Sequence, residues 1–196
     1  IFSFGQTLFF GVAGYAYGAT AINLSDSTNE TLSAVAVGIL AATLMAAVLA
    51  YFMFYGGVAD VYVAVITLAT TLVFLTVVAN TAGSQWHIGA ARLGGFNGMT
   101  PIPPLTPPGG DPILRTDRMV LIIGLAVAAY IGLAVLLRTS FGRIVAGIKS
   151  NDERARLLGY DSRKYNFILF TPSGAIAGLG GTLFASGEGI VTPQVF

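Results

Sequence analysis

The sequence has no cysteine and only one histidine, His87, in 196 residues. Without cysteine the chain cannot form a disulfide framework or perform thiol catalysis, and one histidine cannot build a histidine-rich metal site. Charged residues are also scarce, at 10% of the chain against 55% hydrophobic residues, and the mean hydropathy is +0.77. Because a soluble domain of this length needs many more charges to cover its surface, the composition indicates a polytopic membrane protein.

Several chemical signatures are missing as well. The net charge of +1 provides no basic field for nucleic acid, and the phosphate-binding pattern G-x-x-x-x-G-K-[ST] does not occur. Asp60 and Glu188 stand at the edges of apolar stretches, where we interpret them as solvated boundary charges. The lack of a buried carboxylate disfavours an ion-coupled carrier, and the lack of a catalytic cluster disfavours a membrane enzyme. We expect no cofactor and no metal, and any uphill transport would need energy from a partner.

Long apolar stretches dominate what is present. A helical span needs about 20 apolar residues, and five stretches meet this requirement. They predict an all-α helical membrane bundle that forms one transmembrane domain over residues 1–196. The chain begins at Ile1 and ends at Phe196 in an apolar context, so we expect a fragment of a longer protein, lacking sequence at both ends. The predicted spans are residues 2–22, 32–55, 60–80, 119–137 and 165–186.

The basic residues are concentrated in one segment, residues 138–164, which we call the charged loop. It holds seven of the ten lysines and arginines. Since cytoplasmic loops carry an excess of these residues, we expect the charged loop to be cytoplasmic. Counting spans back from it places residues 81–117, a stretch rich in glycine and proline that we call the outer segment, on the periplasmic side.

The charged loop has the pattern of two short helices. Phe141, Ile144 and Ile148 recur at the period of an amphipathic helix. Ser150 followed three residues later by Glu153 predicts a capping box that starts a second helix, and Gly159 predicts its end. The residues alone support two interpretations of the charged loop equally. It is either a loop that docks onto a partner or a helix held in the lipid headgroups.

Small residues recur four apart in the first and fifth spans. Gly14 and Gly18 form one such pair, and Gly174 and Gly178 form the other. This spacing places small side chains on one helix face, so that another helix can approach closely. We favour bundle packing over a direct role of these glycines in solute passage.

The outer segment contains a glycine-rich stretch that favours a bent backbone rather than a helix. Irregular backbone near a membrane is tolerated where it lines a cavity or lies within protein. Two readings are equally open, a plain periplasmic turn and a wall of a solute path to which Asn97 and Thr100 offer neutral hydrogen-bonding groups. The candidate path residues are Gly94, Gly95, Asn97, Gly98 and Thr100.

Several stretches of the sequence resemble a known protein family. Glu153, Arg154 and Ala155, followed by Gly159, are similar to the E-A-A-x-x-x-G motif in a cytoplasmic loop of bacterial ATP-binding-cassette (ABC) permeases, with arginine replacing the middle alanine. Nearly the whole chain resembles, in order, the branched-chain amino-acid permease family, which includes urea and short-amide permeases. The resembling stretches include "FSFGQTLFFGVAGYAYG", "GGVADVYVAVITLA", "LGGFNGMTPIP" and "SFGRIVAGIKSNDERARLLGYDSRKYNFILFTPSGAIAGLGGTLFASGEGIVTPQ".

The resemblance implies a permease subunit of the bacterial inner membrane, without a catalytic site of its own. Its partners would be two ATPase subunits, a second permease chain, an external solute-binding protein and membrane lipid. Branched-chain or other apolar amino acids are the first expected solutes, urea or short amides the second, and an ion-coupled carrier remains the competing class. The residues that the resemblance assigns to ATPase coupling are Ser150, Asn151, Asp152, Glu153, Arg154, Ala155, Arg156, Leu157, Leu158 and Gly159.

Overall fold

The computed structural model describes residues 3–24, 30–107, 110–113 and 115–196. The start of the first predicted span and three positions of the outer segment therefore lie outside the described residues. Most of the described residues are helical, and strand is limited to one short hairpin, which confirms the predicted all-α membrane architecture. Its α-helices are α1 (Gln6–Asn23), α2 (Glu30–Ala50), α3 (Asp60–Ala79), α4 (Arg115–Arg138), α5 (Ser140–Ser150), α6 (Asp152–Leu157) and α7 (Ser162–Glu188).

Short elements complete the fold. A π-helical turn, Tyr51–Tyr55, extends α2, and an antiparallel hairpin joins β1 (His87–Ile88) to β2 (Ala91–Arg92). Single 3₁₀ turns lie at Gly95–Asn97 and Pro193–Val195. The hairpin and the first 3₁₀ turn belong to the outer segment, so the described part of this segment contains regular structure although most of it is not helical.

Five long helices match the five predicted spans, with small differences at their ends. Helix α4 begins at Arg115, earlier than the predicted residue 119, and α7 begins at Ser162, earlier than residue 165. Among the described residues, four helices are long and apolar enough to cross a membrane. Helix α1 is outside that group. It packs against both α2 and α7, and its buried side chains include Tyr15 and Tyr17, so its surface meets protein more than lipid.

Helices α1, α2 and α7 form the core because small residues let their backbones approach. A Cβ atom added at Gly178 would lie 2.5 Å from the Cβ of Ala42 on α2 and 3.4 Å from the Cβ of Ala13 on α1. A Cβ added at Gly174 would overlap the side chain of Ala46. Both glycines therefore lie where α7 meets its neighbours, and a larger side chain at either position would force the helices apart.

The glycines of α1 have two kinds of neighbour. A Cβ added at Gly14 would lie 3.5 Å from the carbonyl oxygen of Gly181 on α7. At Gly18 the nearest atoms, 2.8 Å from the added Cβ, belong to Met99 and Ile102 of the outer segment. The spacing of these glycines predicted a neighbouring helix at both positions. At Gly18 the close neighbours are instead side chains of the outer segment, which folds down onto α1.

Helix α4 is peripheral. None of its described residues is buried, and large apolar side chains such as Val120 and Tyr130 are exposed by 66% and 74%. Near its start, a guanidinium nitrogen of Arg118 donates a 2.8 Å hydrogen bond to the carbonyl oxygen of Gly187 on α7. An apolar helix with so little protein around it matches a lipid environment.

Candidate functional site

Helix α5 lies against the start of α7 through its apolar face. Ile148 is 8% exposed, and the ring of Phe141 lies 5.6 Å from that of Tyr165, centroid to centroid. Ile144 and Val145 are half-buried. The amphipathic pattern thus predicted the buried face correctly, and α5 is held by protein contacts on that side.

The break between α5 and α6 occurs at Asn151, so the predicted capping box at Ser150 is wrong by one residue. Ser150 is the last residue of α5. Asn151 is extended, with φ −159° and ψ 100°, and its side-chain oxygen accepts a 2.8 Å hydrogen bond from the backbone N–H of Arg154. Asparagine caps a helix at least as well as serine, and the Asn151 N–H still donates to the Gly147 carbonyl oxygen of α5.

Helix α6 ends at the glycine that the sequence indicated. Gly159 has φ +88°, a left-handed conformation that glycine adopts at little cost. The Gly159 N–H donates to the Arg156 carbonyl oxygen at 2.9 Å, and the Tyr160 N–H donates to the Ala155 carbonyl oxygen at 3.1 Å. This pair of hydrogen bonds forms a Schellman motif, which reverses the chain towards α7.

Helix α6 has one attached side and one free side. Ala155 is 7% exposed, whereas Leu157 and Leu158 are exposed by 85% and 71%. Glu153 and Arg154 are also exposed. Two neighbouring leucines that remain this exposed, beside charged residues, are typical of a surface that binds another protein.

Arg156 attaches α6 to the rest of the molecule. Its Nε donates a 3.0 Å hydrogen bond to Oγ of Ser162, which is 2% exposed at the start of α7. A terminal nitrogen of the same guanidinium lies 2.8 Å from a carboxylate oxygen of Asp152. This ion pair is half-exposed and contributes little by itself, but it orients the guanidinium towards Ser162.

A cavity of about 670 Å³ lies between the charged loop and the helical bundle. The turn at Gly57 and Val58, which joins α2 to α3, lines one side of it, and Lys149 and Arg163 lie on the other. The α2–α3 turn and the charged loop are therefore at the same end of the bundle. That arrangement agrees with the alternation of spans on which the expected orientation rests.

The outer segment lies at the opposite end. Gly94, Gly95 and Gly98 have φ values of +72°, +54° and +80°, so the stretch bends as the glycines indicated, with one 3₁₀ turn between the bends. The five candidate path residues thus share one bent stretch, in which Asn97 and Thr100 are exposed and Gly95 and Gly98 are buried.

The path of the last described stretch, residues 189–196, was not predicted from the sequence; we call this stretch the re-entrant segment. Gly189 ends α7 with φ +69°, and the chain then turns back beside α1. Val191 and Met99 exchange two backbone hydrogen bonds, of 2.8 Å and 3.2 Å. Gly189 and Pro193 were the available signal, since glycine ends helices and proline cannot continue them.

The described residues do not contain a group of three or more His, Cys, Asp or Glu side chains that could hold a metal ion. The electrostatic character of the site comes instead from the basic residues of the charged loop, such as Lys149 and Arg163, which lie at one end of the bundle. Such an arrangement can bind a partner surface or a membrane boundary.

Comparison with known proteins agrees with this architecture. The family model described as "Branched-chain amino acid transport system / permease component" matches residues 1–196. The high-affinity branched-chain amino acid transport system permease protein LivM of Escherichia coli (strain K12) is 39% identical over 61 residues, which are 31% of this chain and 14% of that protein. LivM of Salmonella typhimurium (strain LT2) is 38% identical over 61 residues, with the same shares.

The aligned stretch thus spans only 14% of the length of each of these relatives. No solved structure matches the chain. The family match, by contrast, extends over all 196 residues. Together with the long apolar helices, this match indicates a multi-pass protein of the inner membrane. On this evidence the chain belongs to the family of permease components of branched-chain amino acid transport systems.

Proposed function

We propose that this chain is the permease subunit of an ABC importer and forms the path by which branched-chain or other apolar amino acids cross the membrane. The observation that carries the proposal is α6, a short helix that exposes Leu157 and Leu158 and is attached to α7 through Arg156 and Ser162. The solute class is taken from the two LivM relatives, which are permease proteins of branched-chain amino acid transport systems.

Helix α6 has the properties of a docking helix. Separate ATPase subunits would bury Leu157 and Leu158, and burial of one leucine side chain contributes about 1.5–3 kcal/mol. Glu153 and Arg154, which are exposed beside them, would meet complementary charges and set the orientation of the partner. Of the ten residues assigned to coupling, Ala155 and Arg156 face the bundle and act by holding α6 in place.

Movement of α6 can be transmitted to the membrane-spanning helices through direct contacts. The Arg156–Ser162 hydrogen bond joins α6 to the first turn of α7, and α7 packs along both α1 and α2. Gly174 and Gly178 make that packing close. When ATP binding draws the docked helices together, α7 would shift against α1 and α2 and change access to the solute path.

The proposal implies a defined set of partners. Two ATPase subunits bind the charged loop on the cytoplasmic side and hydrolyse ATP, so the permease itself performs no catalysis. A second permease chain completes the path, and an external solute-binding protein delivers the solute to the outer segment. Gly94, Gly95, Asn97, Gly98 and Thr100 would line the entrance on that side.

The test uses the full-length permease with its ATPase, second permease and solute-binding protein in liposomes. We expect ATP-dependent uptake of labelled leucine. Uptake of labelled urea instead would keep the ABC permease assignment and change the solute class. Uptake that persists without ATP or without the ATPase would overturn the coupling role of the charged loop and support an ion-coupled carrier.

A further inference from the structure

The re-entrant segment runs back along a face of α1 that carries three glycines, Gly11, Gly14 and Gly18. Val191 packs over Gly14, where a Cβ would lie 3.4 Å from its side chain, and the ring of Phe196 packs over Gly11 at 2.5–2.9 Å from an added Cβ. Gly11 is 12 residues from Asn23, the last residue of α1, which corresponds to about 18 Å along a helix. The non-helical re-entrant segment therefore reaches the level of the middle of α1, with Val191 and Pro193 buried and Gln194 exposed.

Non-helical backbone at this level of a membrane protein leaves backbone N–H and C=O groups without helical hydrogen bonds. It is tolerated where it is buried in protein or lines a water-filled cavity. The outer segment covers the same face of α1 one turn further out, because Met99 and Ile102 lie over Gly18. The outer segment and the re-entrant segment thus form one continuous layer against α1.

The two segments are joined by few backbone bonds. Met99 and Val191 pair through two hydrogen bonds, and the Ile102 N–H donates a third, of 2.9 Å, to the carbonyl oxygen of Gly189. Val191 pairs with Met99 as an isolated bridge and not as part of a strand. Elements joined so sparsely open more easily than helices do.

Beneath this layer lies a polar atom without a partner. Tyr15 is 8% exposed and stacks on Phe196, with ring centroids 5.8 Å apart and an interplanar angle of 14°. Its hydroxyl is buried and, among the described residues, makes no hydrogen bond. Tyr17, on the same helix, donates its hydroxyl proton to the Pro103 carbonyl oxygen at 3.1 Å. A buried hydroxyl left unpaired is unfavourable, so the Tyr15 hydroxyl points to a partner that is present only at another stage.

We propose that residues 94–103 of the outer segment and the re-entrant segment together form a gate of the solute path, and that the Tyr15 hydroxyl hydrogen-bonds the solute when the gate opens. The inference rests on the proposed transport function. Separation of Met99 from Val191 would lift Phe196 off Tyr15 and expose the hydroxyl. In the closed arrangement seen here, Phe196 shields it.

A disulfide across the bridge tests the gate. The chain has no native cysteine, and residues paired in this way have Cα atoms about 5.5 Å apart, which a disulfide can span. The double variant Met99→Cys/Val191→Cys is placed in the full-length permease and reconstituted with its partners. On oxidation we expect ATP-dependent leucine uptake to fall by at least about tenfold, as for a locked lid, and to return on reduction.

The matched control is His87→Cys/Arg92→Cys, which bridges two paired residues within one hairpin and is expected to leave uptake unchanged on oxidation. Full uptake by the oxidised Met99–Val191 protein overturns the gate. Absence of ATP-dependent uptake in the parent protein would instead count against the proposed function, so the two failures are distinguishable.

A second measurement does not require the double-cysteine variant to fold. Tyr15→Phe removes only the hydroxyl, and we expect the KM for leucine to rise about fivefold, the effect of one lost hydrogen bond, without a fall in melting temperature. Tyr17→Phe is the contrasting variant and is expected to lower the melting temperature. A Tyr15→Phe protein with normal KM, or with a lowered melting temperature, overturns the assignment of the hydroxyl to the solute.

Discussion

The Nε of Arg156 donates a hydrogen bond to Oγ of Ser162, at 3.0 Å, across the turn between α6 and α7. Ser162 is 2% exposed, so this bond ties an otherwise exposed helix to the buried start of a membrane-spanning one. We expect Ser162→Ala to reduce ATP-dependent uptake several-fold, because loss of a buried partner of a charged donor costs about 1.5–3 kcal/mol, while the ATPase still binds.

Uptake and ATPase copurification are measured on the same preparation. The control is Ser140→Ala, which removes a hydrogen bond to Arg143 that lies within α5 and is expected to have no effect on uptake. Normal uptake by the Ser162→Ala protein would show that α6 does not act through this contact.

The left-handed backbone at Gly159 makes a second prediction. Valine at φ +88° is strained by about 1–3 kcal/mol, so Gly159→Val unwinds the end of α6. We expect the variant to reach the membrane at normal levels and to lose most ATP-driven uptake. Gly147→Val serves as its control, since Gly147 is helical with open space at its Cβ position. Equal uptake by both variants would contradict a role for the α6 terminus in coupling.

The exposed side of α6 makes a third prediction. Leu157→Asp places a charge where we expect the ATPase to bury an apolar side chain, so copurification should weaken by about tenfold or more. Glu153→Lys should weaken it less, because an exposed charge contributes little. Pull-down of the ATPase at two salt concentrations measures both effects. Asp111→Lys, at the other end of the bundle, is the control, and an unchanged pull-down of the Leu157→Asp protein would place the ATPase elsewhere.

The contact between α2 and α7 makes a fourth prediction. Gly178→Val inserts a branched side chain where a Cβ alone meets Ala42 at 2.5 Å, and overpacking of this kind costs about 1–3 kcal/mol. We expect a lowered melting temperature in detergent. Gly132→Val on α4, where nothing lies within 4 Å of the Cβ position, should change it little. The outcome against the packing argument is an equal shift in both proteins.

Local patterns predicted the helices well and their ends less well. The apolar period placed the buried face of α5 correctly, because that period depends only on helix geometry. The S-x-x-E spacing predicted a capping box at Ser150, one residue before the observed cap. In the folded chain α5 continues through Ser150, and the backbone becomes extended only at Asn151.

Hydropathy and basic residues, which depend on composition along the chain, were enough to indicate a helical membrane protein, its long helices and the charged loop between α4 and α7. The re-entrant segment was decided only by tertiary structure, since its path follows from Val191 pairing with Met99 and from Phe196 packing on Gly11. Those partners are 92 and 185 residues away in sequence (191 − 99 and 196 − 11). Hydropathy is a property of each stretch of sequence by itself. The position of non-helical backbone beside a helical bundle depends instead on the surfaces of the neighbouring helices.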